Sequence, residues 1–154
     1  MKKIPLTKGK FVIVDETDFN DLNQHKWCLH SLGYAVRRSD GQYLLMHRVI
    51  LGVEPGINVD HIDGDKLNNR RMNLRLCNQS QNCANRRLNR NNTSGYKGVV
   101  WVPRLKKFQA QIQVNRVNYR LGCHVTAEQA AIAYNKAAKK YFGDFSLLNK
   151  LKTL

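Results

Sequence analysis

The chain has 154 residues, enough for one ordinary domain or two small ones, and its 42% hydrophobic content excludes wholesale disorder. No apolar run approaches the roughly 20 residues of a membrane-spanning helix. The start, MKKIPLTKGKFVIV, has no signal-peptide apolar core or cleavage site, so an intracellular protein with no membrane association is expected.

A formal charge of +15 and a pI near 10.0 call for a polyanionic partner, most often nucleic acid or an anionic membrane surface. Residues 1–82 carry 12 Lys/Arg against 9 Asp/Glu, a net +3, while residues 83–154 carry 14 against 2, a net +12. The C-terminal half is therefore the main electrostatic handle. Cys28, Cys77, Cys83 and Cys123 include no C-x₂₋₄-C pair, which favours unpaired thiols in a reducing compartment over a zinc site.

Residues 10–14, KFVIV, read as a strand and Asp15–Gln24 as a short helix capped by Thr17 or Asp18. Lys26–His30, Tyr34–Arg38 and Gln42–Leu45 read as strands separated by glycine-containing turns. Met46–Leu51 suits a short helix closed by Gly52. These elements make a small α+β support that packs behind the hairpin carrying His61. His47 beside the Val-Ile-Leu run has two readings, an aid to a site or a structural residue, and the apolar run favours the second. Arg48 is the more natural phosphate or carboxylate partner.

Val59–Ile62 and Asn73–Cys77 read as an antiparallel hairpin with a long Asp/Asn/Gly connection, and Ser80 as the cap of a following helix. That path brings Asp60, His61, Asn73 and Asn82 within reach of one another. Histidine suits taking a proton from water near neutral pH. Asp60 and Asn82 offer oxygen to a hard divalent cation, Mg²⁺ or Mn²⁺. The amide of Asn73 can bond across the hairpin and fix the backbone presenting His61. An Asp/Asn-rich turn with a solvated histidine is the competing reading. A calcium loop on Asp60, Asp63 and Asp65 fails, because Gly64 and Arg71 stand where that loop needs other residues.

LLMHRVILG followed by VDHIDGDKLNNRRMNLRLCNQSQN resembles the HNH nucleases, specifically the His-Asn-Asn variant of phage and intron homing endonucleases, over about residues 44–85. The resemblance implies a ββα-metal (His-Me finger) fold. It makes His61 the catalytic base, Asp60 and Asn82 the metal ligands, and Asn73 the hairpin-stabilising asparagine. Asn82 stands where many members have a metal-binding histidine, which points to an oxygen-ligated ion.

Cys83–Thr93 reads as a basic linker whose Arg86, Arg87 and Arg90 follow DNA phosphates or enter a minor groove, or serve only general attraction. Tyr96–Val102 reads as a strand. Lys107–Val114 has strict period two, with Phe108, Ala110, Ile112 and Val114 on one face and Gln109, Gln111 and Gln113 on the other. Asn115–Asn118 turns the chain and Tyr119–Gly122 pairs back. Thr126-Ala127-Glu128-Gln129 is a capping box opening a helix to about Phe142, stopped by Gly143. Phe108, Tyr134 and Tyr141 read as core; Trp101 reads as core or DNA-facing. The glutamine row is either a groove-reading face or an ordinary solvated one.

SGYKGVVWVPRLKKFQAQIQV, with YRLGCHVTAEQAAIAYNKAAKKYFG after it, is similar to the Apetala-type (ethylene-response-factor) DNA-binding domain over about residues 94–145. The similarity implies a three-stranded antiparallel sheet backed by one helix that reads the major groove. Lys97, Trp101, Arg104, Gln109, Gln111, Gln113 and Arg120 are the candidate contacts. Val100, Trp101 and Val102 replace the arginines of plant members, so their base preference does not carry over.

The expected protein is thus α+β: a nuclease domain over 1–82, a basic linker over 83–93 and a DNA-binding domain over 94–154. Its partner is double-stranded DNA, with no obligate protein partner. The expected activity is site-specific, one-metal DNA hydrolysis of the homing type, nicking as a monomer, in the cytoplasm of a phage-infected bacterium. A non-catalytic DNA-binding regulator and an RNA-directed protein are the rivals.

Overall fold

The structure is a computed structural model, and it describes residues 1–151. The chain forms two compact units, Met1–Cys77 and a second that begins at Asn78. No helix among the described residues is long and apolar enough to cross a membrane.

The first unit opens with a hairpin of β1 (Lys2–Pro5) and β2 (Phe11–Val14), in register Lys2↔Val14 to Pro5↔Phe11. Strand alternation puts Ile4, Val12 and Val14 into the core, at 1%, 0% and 0% exposure. No element is expected from sequence before residue 10. The few apolar residues of that stretch, set among lysines and a proline, are too sparse to show a period.

α1 (Glu16–Asn23) follows β2 and buries Leu22. Its N-cap is Asp15, not Thr17 or Asp18, and the Asp15 carboxylate accepts from the distant backbone N–H of Arg71 at 2.8 Å rather than from its own helix. Asp18 in turn holds the Arg71 guanidinium at 2.7 Å. The start of α1 therefore anchors the loop that precedes Asn73.

A three-stranded antiparallel sheet comes next, β3 (Cys28–Leu29), β4 (Ala35–Ser39) and β5 (Gln42–Leu45), in that spatial order. The two-residue turn Asp40-Gly41 has positive φ at both positions, as a right-twisted hairpin requires. α2 (Met46–Leu51) starts without a break, buries Met46, His47 and Ile50 on one face, and ends at Gly52 with φ +60°. β6 (Asn58–His61) and β7 (Leu74–Cys77) complete the unit as an antiparallel pair, Asp60 opposite Arg75 and His61 opposite Leu74. The core joins Ile4, Val12, Leu22, Trp27, Met46 and Leu74.

The second unit starts with α3 (Gln79–Ala84), which carries Asn82. Asn78 is its cap, reciprocated by Gln81 in a capping box, while Ser80 lies inside the helix. The expected Ser80 cap fails because Asn78 offers the same chemistry two residues earlier with a partner at the right spacing. The Ser80 hydroxyl accepts instead from the backbone N–H of Asn115 at 3.0 Å. Ala84, at the end of α3, is 5% exposed and packs with Ile112, Tyr134 and Phe142. The unit boundary at 77/78 thus falls ahead of the expected boundary at residue 82.

β8 (Val99–Val102), β9 (Lys107–Val114) and β10 (Val117–His124) form an antiparallel sheet in the order β10-β9-β8. Asn115 and Arg116, at φ +48° and +69°, make a tighter β9–β10 turn than expected, so β10 is longer. α4 (Ala127–Phe142) begins at the Thr126–Gln129 capping box and lays Ala130, Ala131, Tyr134, Ala137, Ala138 and Phe142 into the core. Tyr141 is not core: it is 41% exposed and stacks on Tyr119 with ring centroids 5.6 Å apart. Small alanines let the helix lie close to Ala110 and Ile112.

Candidate active site

β6 delivers Asp60 and His61 as neighbours, and successive strand residues point to opposite faces. Both are nonetheless buried, at 6% and 5% exposure, so both faces of the short strand are covered. On one face Arg75 donates from Nε at 2.9 Å and Nη2 at 2.7 Å to Oδ2 of Asp60. On the other, His61 Nε2 lies 2.7 Å from Oδ1 of Asn69. The His47 ring meets that of His61 edge-on at 5.1 Å and 78°. Tyr34 closes the cluster, 5.2 Å from His47 and 6.1 Å from His61.

The connection from β6 to β7 is folded on itself. Asn73 Oδ1 accepts from the Asp63 N–H at 3.1 Å, while its Nδ2 donates to Asp63 Oδ1 at 3.0 Å and to the Asn68 carbonyl at 2.7 Å. Asn68 Nδ2 donates to Asp63 Oδ2 at 2.6 Å. The backbone of Asn73 accepts from the Ile62 N–H at 2.9 Å, extending the ladder past His61. The connection is also tied to β2. Ile13 donates to the Leu67 carbonyl and accepts from the Asn69 N–H, both at 2.8 Å. Asn69, at 0% exposure, is therefore fixed in backbone and side chain.

Burial lowers the pKa of His61, opposed by the Asn69 hydrogen bond and by the charges of Asp63, Asp60 and Asp65. His47 is pushed down to about 3 by burial, then by the neighbouring His61 and Arg48 charges, and is neutral at physiological pH. Burial raises Asp63, but hydrogen bonds from the Asp65 N–H, Asn68 and Asn73 outweigh it and hold the carboxyl below its usual range.

Among the expected site residues, Asp60, His61 and Asn73 sit on and beside the β6–β7 pair, and Asn82 sits on α3 in the second unit. Asp60 offers oxygen only, the donor type that suits a hard cation. No group of three or more His, Cys, Asp or Glu able to hold a metal occurs among the described residues. Cys28, Cys83 and Cys123 are free, exposed thiols.

Several candidate DNA contacts occupy places of their own. Arg48 clamps the loop before β6, donating to the carbonyls of Ile57 at 2.6 Å and Val53 at 3.4 Å and to that of Glu54. Its guanidinium is thus committed to backbone rather than offered to phosphate. Lys97 likewise donates from Nζ to the Arg86 carbonyl at 2.8 Å and to that of Ala84, and burial drops its pKa to about 8. Trp101 pairs opposite Phe108 on the helix side of the sheet, rings 4.8 Å apart, not on the glutamine side. Period two leaves its face open only because Val99 to Val102 are all apolar.

Gln109, Gln111 and Gln113 lie on the face away from α4, with Val100, Arg120 and Asn118 as their respective cross-strand neighbours. Arg104, in the turn after β8, is exposed, as are Arg86, Arg87 and Arg90 after α3. Sequence reasoning does not find Asn69 and Tyr34. Asn69 carries a signal only as one of two adjacent asparagines in a polar loop, and Tyr34 lies 27 residues before His61.

A family model describing HNH endonucleases matches residues 45–84. An uncharacterized HNH endonuclease of Acanthamoeba polyphaga mimivirus is 35% identical over 150 residues, which is 94% of this chain and 77% of the relative. "Protein 3.8" of Escherichia phage T7 is 43% identical over 49 residues, 32% of this chain and 40% of that protein. No solved structure matches. The matched segment contains Asp60, His61, Asn73 and Asn82, and the long viral relative runs nearly the whole chain beside it: this chain belongs to the HNH endonuclease family.

Proposed function

We propose that the chain is a site-specific DNA endonuclease of the homing type that hydrolyses one strand per encounter, using one divalent metal and a histidine base. The observation that carries this is the pairing on β6 of Asp60 with a buried His61 whose Nε2 is hydrogen-bonded at 2.7 Å. An imidazole held on one nitrogen can use the other as a base.

In this reading His61 takes a proton from water as the oxygen attacks phosphorus. The P–O3′ bond breaks and the departing 3′ oxygen takes a proton from solvent, leaving a 5′ phosphate and a 3′ hydroxyl. Asp60 is the oxygen donor of the first unit assigned to Mg²⁺ or Mn²⁺. Such a cation, when bound, offsets charge on the scissile phosphate and the departing oxygen. Asn73 keeps Ile62 and Asp63 in place behind His61. The sheet β8–β10 with α4 acts as an Apetala-type reader through Gln109, Gln111, Gln113 and Arg120. Arg86, Arg87, Arg90 and Arg104 add phosphate attraction.

Plasmid incubated with the full chain and Mg²⁺ is the direct test, with His61→Ala as control. Conversion of supercoiled to open-circular DNA by the wild type and its loss in the variant is the expected result. Absence of cleavage by the wild type across Mg²⁺, Mn²⁺ and varied DNA would leave the non-catalytic regulator as the better reading.

A further inference from the structure

We infer that a cavity within the second unit holds one unpaired DNA strand, with phosphate on Arg86 and Arg116 and a base edge on Gln113 and Asn118. The inference rests on the reading of that unit as a DNA binder and adds a strand-sized site at one end of its glutamine row. The cavity has a volume of about 730 Å³ and lies between the segment after α3 and the β9–β10 turn. That is the scale of a site for a drug-sized ligand, which admits a nucleotide and excludes a duplex.

The walls are fixed before any ligand arrives. The Ser80 hydroxyl accepts from the Asn115 N–H at 3.0 Å and ties α3 to the β9–β10 turn. Lys97 Nζ donates to the Arg86 carbonyl at 2.8 Å and to that of Ala84, and so ties the segment after α3 to the residues just before β8.

The lining sets the class of ligand. Arg86, Lys97 and Arg116 lie along it and no Asp or Glu does, so it favours an anion. Gln111, Gln113 and Asn118 also line it, and their exposed side chains have no hydrogen-bond partner among the described residues. Gln113 and Asn118 are cross-strand partners, which sets their carboxamides side by side. A carboxamide presents both donors and an acceptor. Phosphate oxygens only accept, so the carboxamide oxygens need N–H groups from elsewhere. The Watson–Crick edge of an unpaired base supplies them; in a duplex that edge is already paired.

The test uses the full chain in EDTA, so that binding is read without cleavage. Fluorescence anisotropy follows a labelled single-stranded DNA oligonucleotide of mixed sequence, its duplex, and single-stranded RNA of the same sequence. The wild type binds the DNA strand. Asn118→Ala weakens that binding roughly 10-fold, the scale of a lost bidentate base contact, and leaves duplex affinity as it was. Arg116→Asn, a residue tolerant of the φ of +69° at that turn, lowers the salt slope for the single strand by about 0.7. Both positions are exposed, so both variants keep the fold.

Unchanged single-strand affinity in Asn118→Ala, or an equal loss for strand and duplex, overturns the inference, while duplex binding by the wild type keeps the DNA reading. RNA held more tightly than the DNA strand, with the same loss in Asn118→Ala, overturns the choice of DNA. A wild type that binds neither form of DNA overturns the underlying reading as well.

Discussion

Asp60 and Arg75 face each other across the β6–β7 ladder and pair side chain to side chain at 2.7 Å, with only 6% and 16% of those side chains exposed. Removing one member of a buried pair strands the other charge and costs about 3 kcal/mol. Arg75→Ala is expected to lose that much in urea unfolding. Asp60 also serves as a cation ligand in the proposed mechanism, so millimolar Mg²⁺ should restore part of the loss by binding the folded state. Equal destabilisation with and without Mg²⁺ would count against Asp60 as a ligand.

His47 makes stability depend on pH in a defined direction. Its folded pKa, about 3, lies below the unfolded value of 6.5. The unfolded chain therefore binds the extra proton between those values, and stability falls as the pH drops from 6.5 toward 3. The limiting slope is about 1.4 kcal/mol per pH unit. Above pH 6.5 the residue contributes no slope. His61, also lowered by burial, adds the same sign. Urea titrations from pH 7 to pH 4 should show a shallower fall for His47→Leu than for the wild type; parallel curves would mean that His47 charges in the folded state.

Local chemistry makes some of the fold and site readable in advance and hides the rest. α2 and β9 carry patterns that need no tertiary information, six residues closed by glycine and eight with strict alternation. The capping box of Thr126 and Gln129 is equally local. Asp60 and His61 stand out because a buried-type strand ends in two polar residues. Asn69 does not, since its role comes from β2, whose Ile13 reaches it from 56 residues away. Lys97 and Arg48 mislead for a related reason. Their long side chains can meet phosphate or backbone carbonyls equally well, and only the neighbouring chain ends decide.

Gly98 is the tightest fit in the second unit. A Cβ there would lie 2.0 Å from Cδ2 of Tyr134 and 2.6 Å from the Gln111 carbonyl oxygen, at φ +72°. Gly95 has a similar φ of +77° and nothing within 4 Å. The pair separates backbone strain from collision. Gly95→Ala should cost the strain alone, about 1 kcal/mol. Gly98→Ala must also displace a buried aromatic ring and should cost at least about 2 kcal/mol more. Similar melting shifts for the two variants would show that Tyr134 yields freely.

The sheet offers a test of DNA reading because its two faces differ. Gln111 and Arg120 are cross-strand neighbours on the face away from α4, and Trp101 sits on the opposite face beside Phe108. If the glutamine face enters the major groove, Gln111→Ala removes a base contact worth about 1–3 kcal/mol and relaxes one position of the selected site. If Arg120 holds a phosphate, Arg120→Ala weakens all duplexes alike and lowers the salt slope by about 1. Trp101→Ala should change stability and leave the selected sequence as it was. Selection from a randomised duplex library, run with each variant at two salt concentrations, reads all three. A consensus altered by Trp101→Ala and untouched by Gln111→Ala would reverse the face assigned to DNA.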